Sequence, residues 1–181
     1  MISRDILPRV RDHVDRIFEQ WAVERPELDR SAMAVLARIL RAARLVDLEM
    51  SRVFADFGLQ RGEFDVLATL RRAGAPFRLN PSDLSAALLL STGAMTNRID
   101  RLERSGLVQR LPDPGDRRSV LVELTRRGRA LLDRVMSAHV VNEEGILEGL
   151  SATERLHLTR LLRKLLNSLE EGRVAADRAA V

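Results

Sequence analysis

The stretch Ser91–Thr125, STGAMTNRIDRLERSGLVQRLPDPGDRRSVLVELT, decides how the chain is read. Ser91 is a good N-cap, because its hydroxyl can accept from an otherwise unpaired N–H of a first helical turn. Met95, Ile99 and Leu102 recur at helical spacing and form one inward stripe. Gly106 follows the last turn, where a left-handed cap is easiest to make. Leu107–Leu111 and Val120–Leu124 are strand-length apolar runs, and PDPGDRR between them supplies turn residues and adjacent arginines. The expectation is a short helix, a stop, and a two-stranded hairpin with a basic tip.

The outward face of that helix carries groups suited to nucleic acid. Opposite Met95, Ile99 and Leu102 stand Gly93, Asn97, Asp100, Arg101 and Arg104, with Thr92 and Thr96 on one flank. In a helix that enters a major groove, the N-terminal turn approaches the base edges most closely. Asn97 is able to read an adenine and Thr96 to touch a thymine methyl or a phosphate, while Gly93 lets the backbone come near. Arg101 and Arg104 suit phosphates. The same face also fits a solvated surface laced with ion pairs such as Asp100 with Arg104. The adjoining hairpin tilts the reading toward DNA. Asp116-Arg117-Arg118 sits at or just past its turn, where an arginine can enter a minor groove and the aspartate can hold a guanidinium in place. An ordinary solvated hairpin tip remains the alternative.

Working outward, Asn80-Pro81-Ser82-Asp83 opens a brief helix with Asn80 as its cap, and Leu84, Ala87 and Leu88 form its core face. Short helices joined by a tight turn, the later one followed by a hairpin, are a helix-turn-helix with a wing. RAGAPFRLN before it reads as a loop, and Arg61–Arg72 as a nearly surrounded helix with Asp65, Thr69 and Arg72 on its polar side. A long helix from about Ser31 to Phe57 carries Met33, Leu36, Ile39, Leu40, Ala43, Val46, Met50, Val53 and Phe54 inward, and Gly58 stops it. Residues 5–22 place Ile6, Leu7, Val10, Val14, Ile17, Phe18 and Trp21 on one stripe that ends before Pro26. Downstream, Thr125 caps a helix to about Glu144 with Ala130, Leu131, Val135, Ala138 and Val141 inward. Ser151-Ala152-Thr153-Glu154 is a capping box for a last helix bearing Leu158, Leu161, Leu162, Leu165, Leu166 and Leu169.

The expected fold is therefore mainly α with a small β-hairpin wing: a winged helix-turn-helix with N- and C-terminal dimerisation helices. Its parts are N-terminal helices over 1–57, a DNA-binding lobe over 58–125, dimerisation helices over 126–171 and a flexible tail over 172–181. The leucine stripe of the last helix is wider than packing within one subunit needs, which points to a homodimer.

Composition sets bounds on this reading. A chain of 181 residues with 45% hydrophobic content builds a real core, and 3% aromatic content means that core is mostly aliphatic. No apolar run approaches the roughly 20 residues that span a bilayer, and charges interrupt the N-terminus, so a cytoplasmic protein without membrane contact is expected. There is no cysteine, which excludes disulfides and a thiol switch. The net charge is +4, and Lys164 is the only lysine. The positive charge is thus guanidinium, which prefers planar acceptors such as phosphates, carboxylates and guanine edges. An enzyme is not expected: His13, His139 and His157 stand far apart in sequence, and there is neither a Gly-rich phosphate loop nor a metal-spaced cluster.

The run LNPSDLSAALLLSTGAMTNRIDRLERSGLVQRLPDPGDRRSVLVELTRRGRALL resembles the MarR family of bacterial transcription regulators, with GLVQR…DPGDRR…LT..G as the specific signature. The similarity extends through the helices on both sides. Gln60 departs from the Ser or Thr cap common in the family, and Gly115 from an arginine before the wing aspartate, leaving the wing tip to Arg117 and Arg118. The resemblance implies a homodimer that binds a double-stranded, pseudo-palindromic operator and typically represses a neighbouring gene. Its DNA-contacting residues here are Ser91, Thr92, Gly93, Thr96, Asn97, Arg101, Arg104, Asp116, Arg117 and Arg118.

The chain is similar in more detail to the urate-responsive, PecS-like branch of that family. The matching ligand positions are Trp21, Asp65, Arg98 and Arg110, and no cofactor besides this small anionic effector is implied. Arg98 lies at the border of the Met95–Leu102 stripe, so it can point into the lobe, where a guanidinium needs an anion or several acceptors. Urate, a planar anion with several carbonyl acceptors, suits arginines and an aromatic surface. Each of these residues also has an ordinary explanation: Trp21 as a core or interface aromatic, Asp65 as a partner of Arg61 or Arg72, and both arginines as phosphate contacts. A phenolic or polycarboxylic acid is the rival ligand. A ligand-free architectural DNA-binding protein is the rival function, and a pure dimerisation scaffold would not need the wing.

Overall fold

The structure, a computed structural model, describes residues 11–116 and 119–179, with side chains through Arg173. Arg117 and Arg118 lie outside the described residues, as does the start of the helix expected from residue 5. The chain divides into two compact units, Met1–Glu49 and Met50–Val181.

In the first unit, α1 (His13–Glu24) starts later than the apolar stripe suggests. Asp12 and Asp15 form a capping box: the Asp12 carboxylate accepts from Asp15 N at 2.9 Å, and Asp15 accepts from Asp12 N at 3.0 Å. Arg38, on α2 (Ser31–Asp56), donates to both, at 2.7 Å and 2.6 Å. Of the apolar stripe read from residues 5–22, Val14 is buried, whereas Ile17 and Trp21 are exposed, Trp21 by 42%. Met33, Leu36 and Leu40 on α2 are exposed as well.

The second unit is built around α3 (Arg61–Arg72). It packs against α4 (Pro81–Leu88), α5 (Thr92–Arg104), α6 (Arg126–Ile146) and the sheet. Phe64, Val66, Leu67 and Leu70 are buried on α3, so the expectation of a nearly surrounded helix describes it well. Phe54, from the end of α2, stacks on Phe64 with ring centroids 4.2 Å apart. Met95, Ile99 and Leu102 of α5 enter the same core, as the helical spacing requires.

The wing is a sheet of three strands in the order β1-β3-β2. Here β2 (Val108–Pro112) and β3 (Val120–Leu124) are the expected hairpin, paired antiparallel with Arg110 opposite Val122. The added strand is β1 (Arg78–Leu79), which pairs Leu79 with Val122. It falls inside RAGAPFRLN, read above as loop. A strand this short shows no alternation of its own, and its pairing partner lies some forty residues away.

Helix α6 (Arg126–Ile146) differs from expectation in the face it buries. On α6 the buried residues are Gly128, Leu132, Val135 and His139, whereas Ala130 and Val141 are exposed. The rotation follows from Gly128. A β-carbon there would lie 2.0 Å from the Leu107 carbonyl oxygen, so the helix and the start of the wing touch backbone to backbone. Thr125 Oγ1 caps α6 by accepting from Gly128 N at 3.0 Å and donates toward Gly106 O at 2.8 Å. Helix α7 (Ala152–Ala179) starts from the expected Ser151–Glu154 box and continues past Gly172, where a flexible tail was expected. No side chain of α7 through Arg173 is buried. No helix among the described residues is long and apolar enough to cross a membrane.

Two outcomes follow from these contacts. Gly128→Ala should cost about 2–3 kcal/mol in denaturant unfolding, because Leu107 O is backbone and has nowhere to move; a change below ~0.5 kcal/mol would mean that α6 is free to slide. Mutual backbone hydrogen bonds and Arg38 hold the Asp12 and Asp15 carboxyls below the usual aspartate range. A carboxylate with a lowered folded pKa stabilises above its unfolded pKa and loses that stabilisation as pH falls through the folded value. Helix α1 should therefore loosen below about pH 4, read as a drop in Trp21 fluorescence anisotropy that precedes loss of far-ultraviolet helix signal. Coincident transitions would show that α1 has no separate acid-labile cap.

Candidate nucleic-acid interface

Helix α5 is anchored at its start by Ser91 Oγ, which accepts from Ala94 N at 3.4 Å. The preceding turn is tight. Leu89 ends α4 in the left-handed region (φ 52°), a place usually given to glycine, and its side chain is 83% exposed. That conformation costs about 1 kcal/mol for a residue with a β-carbon. Beyond the turn, Ser91, Thr92, Gly93, Thr96 and Asn97 are all exposed, so the face expected to read DNA is open. Thr96 Oγ1 donates to Thr92 O at 3.0 Å, which fixes that side chain against its own helix. Arg104 is exposed and its Nε reaches Asp100 O at 3.3 Å.

Arg101 is placed differently from the expectation of a free phosphate contact. Its Nη2 donates to Gln60 Oε1 at 2.6 Å, and its Nε lies 3.1 Å from Glu63 Oε1 as an ion pair. Arg98 leans on the same turn of α3. Its Nη1 donates to Gly62 O at 3.4 Å, and a β-carbon on residue 62 would sit 2.4 Å from its Cζ. Arg98 thus points into the lobe, as its place on the helix wheel implies.

At the wing, the Arg110 guanidinium bonds Asp100 and Glu103 of α5, and its backbone N–H donates to Glu103 at 3.0 Å. These carboxylates, Asp100 foremost, raise its pKa and keep it charged. Arg110 therefore bridges the wing to one flank of α5, while Arg98 and Arg101 bridge α5 to α3 on another. Arg110, one of the residues matched to the family's ligand site, is thus held on α5 by neighbouring carboxylates. Asp65 is half-buried on α3 and has no ionic partner among the described residues. Arg98 has no carboxylate partner among them either. Trp21 belongs to the first unit, and Asp65, Arg98 and Arg110 to the second. At the hairpin tip, Asp113 Oδ1 accepts from Gly115 N at 2.9 Å, and Asp116 O accepts from Ser119 N at 2.9 Å.

A helix-turn-helix open at the start of its second helix and tied to a wing has clear counterparts. The MarR family model matches residues 59–120. The chain is 43% identical to the HTH-type transcriptional regulator PecS of Dickeya dadantii over 160 residues, 88% of this chain and 96% of that one. The chain belongs to the MarR family. Its members regulate transcription, and this one is a DNA-binding regulator of the PecS type rather than an enzyme. It is also 26% identical to the transcriptional repressor YetL of Bacillus subtilis, over 90% of this chain and 94% of that one. Among solved structures, a mutant of Escherichia coli MarR complexed with operator DNA is similar with a TM-score of 0.68 and 28% identity, covering 77% of this chain and 99% of that one.

Within this MarR-family lobe, sequence reasoning missed Gly62 and Glu63 as partners of α5, and it marks Gln60 only as an unusual cap. The Gln60 side chain is occupied by Arg101, which is why a short Ser or Thr would not replace it here. A charged residue at N3 of a helix reads as a capping-box member, and Glu63 is one: it accepts from Gln60 N at 2.7 Å. Nothing local reveals its other oxygen's partner. Gly62→Ala should expel the flexible end of Arg98 at a cost below about 1 kcal/mol. The thermal midpoint stays near wild type while Arg98 gains reactivity toward phenylglyoxal, read by mass spectrometry. Unchanged reactivity would show that Arg98 does not need the missing β-carbon.

Proposed function

We propose that the protein is a cytoplasmic, homodimeric repressor that binds a pseudo-palindromic operator and releases it when a small planar anion, urate or a related purine, binds at Arg98. The open first turns of α5 beside the wing carry the DNA part of this reading. Ser91, Thr92, Gly93, Thr96 and Asn97 remain exposed on a helix whose other sides are packed or ion-paired. The wing tip with Arg117 and Arg118 serves the flanking minor groove.

Exposed apolar surface supports the homodimer. Helix α7 presents Leu158, Leu161, Leu162, Leu166 and Leu169 to solvent, and each leucine gains about 1.5–3 kcal/mol when fully buried. A second copy of the chain supplies such burial. Two reading helices then meet half-sites about one turn of DNA apart.

The ligand part rests on a half-buried guanidinium and a half-buried carboxylate, Arg98 and Asp65, that have no charged partner among the described residues. An anion at Arg98 satisfies the guanidinium and is repelled by Asp65. Relief of that repulsion moves α5, because Arg98 is part of it.

A second ligand class is favoured by one observation. A cavity of about 300 Å³ between α3 and α6 is lined by Phe64, Ala68, Leu132 and Met136, with Arg71, Arg72, His139 and Glu143 around them. Its apolar wall and arginines suit a single-ring aromatic acid.

Footprinting should show protection of a dyad, and urate should release it, with xanthine and salicylate as comparisons. Uniform protection of any sequence would favour an architectural protein. Trp21 is the only tryptophan, so urate titration against its fluorescence reads binding directly. A flat response at millimolar urate together with release by salicylate would transfer the effector role to the aromatic-acid cavity.

A further inference from the structure

We propose that Glu63 is a positioning residue for the recognition helix and that it acts through Arg101, which braces α5 against α3 instead of contacting a phosphate. This role rests on the operator-binding reading above. Glu63 is 8% exposed, and a buried carboxylate is retained only where its charge is matched. Its oxygens have separate partners. One accepts from Gln60 N at 2.7 Å, in the first turn of α3, where the helix dipole favours negative charge. The other faces Arg101 Nε at 3.1 Å.

Arg101 reaches across with a second arm, Nη2 to Gln60 Oε1 at 2.6 Å. The guanidinium is therefore held on one helical turn by a hydrogen bond to Gln60 and by an ion pair with Glu63, the latter without hydrogen-bond geometry at Nε. A planar fork is required to span both partners, and an ammonium point charge cannot do so. The neighbouring Arg98, one turn earlier on α5, fills the space over Gly62 on the same turn. Side chains from consecutive turns of α5 thus rest on one turn of α3, which fixes both the height and the rotation of α5. Base contacts from Thr96 and Asn97 depend on that rotation, whereas phosphate contacts tolerate small shifts.

The test measures affinity for the operator and for a scrambled duplex over a salt series, using full-length wild type, Glu63→Gln, Arg101→Lys, Arg101→Gln and the Glu63→Gln/Arg101→Lys double variant. Glu63→Gln keeps an acceptor for Gln60 N and removes the charge; Arg101→Lys keeps the charge and removes the fork. Each is expected to lose about tenfold in operator affinity, with the double variant losing no more than either alone. Scrambled-duplex affinity and the salt dependence stay at wild-type values in all variants. Should Glu63→Gln fail to fold, as its thermal midpoint would show, Arg101→Lys carries the comparison. Wild-type operator affinity in Arg101→Lys, or a salt slope lowered by about 0.9 in Arg101→Gln, overturns the role and makes Arg101 a phosphate contact. A wild-type protein that does not distinguish the two duplexes overturns the operator reading itself, and this role with it.

Discussion

The reading end depends on the contact between the first turn of α3 and the middle of α5. Helix α3 is packed on by α4, α5, α6 and the sheet, so it is the rigid reference for everything around it. Apolar burial of Met95, Ile99 and Leu102 brings α5 to that reference but does not by itself fix its rotation. Hydrophobic contact is non-directional, and a helix can roll on its stripe at little cost. Direction comes from the polar and steric contacts at the edge: the Arg101 bridge to Gln60 and Glu63, and the Arg98 guanidinium seated where Gly62 has no side chain.

The opposite flank of α5 is tied by different chemistry. Arg110 brings the wing onto Asp100 and Glu103, so the sheet and the helix move together. Behind them, Gly128 lets α6 touch the Leu107 carbonyl, and Thr125 both caps α6 and bonds the chain leaving α5. Three arginines of the stretch are thereby committed to internal bridges. The surface left for DNA is small, uncharged and polar at the helix start, with charge supplied from its end and from the wing. In the operator-binding mode we propose, this division separates reading from holding: neutral groups at the bases, guanidinium at the backbone.

Much of this architecture was legible because it is local. Ser91, Asn80 and Thr125 are caps whose residue types are nearly diagnostic, Gly106 takes φ 68° where a left-handed stop was expected, and the hairpin strands lie where strand-length apolar runs and turn residues put them. What escaped is non-local. Strand β1 exists only because β3 is beside it. The buried face of α6 is set by a glycine that must meet Leu107, and periodicity alone chose a neighbouring stripe. The resemblance matches Arg110 to a ligand site, whereas Asp100 and Glu103 hold it, a pairing across the helix–wing junction that neither segment shows alone. Asp12 and Asp15 were legible in principle as a capping box, but the apolar stripe upstream dominated the reading.

The apolar residues that the chain leaves in solvent are the counterpart of this rigid lobe. Leu36 and Leu40 on α2 were expected to face inward and are exposed, as are the leucines of α7 that were read as a dimer surface. Periodicity identifies which face is apolar, not whose surface covers it. A chain that leaves aliphatic stripes exposed on α2 and α7, and keeps polar fasteners within the winged lobe, separates assembly from reading. In the homodimer we propose, burial of those stripes sets the spacing of two lobes, while the α3–α5 bracing sets how each lobe meets the groove. An effector that disturbs Arg98 then needs to change only the second of these. In that proposal the dimer stays intact as its grip on the operator is lost.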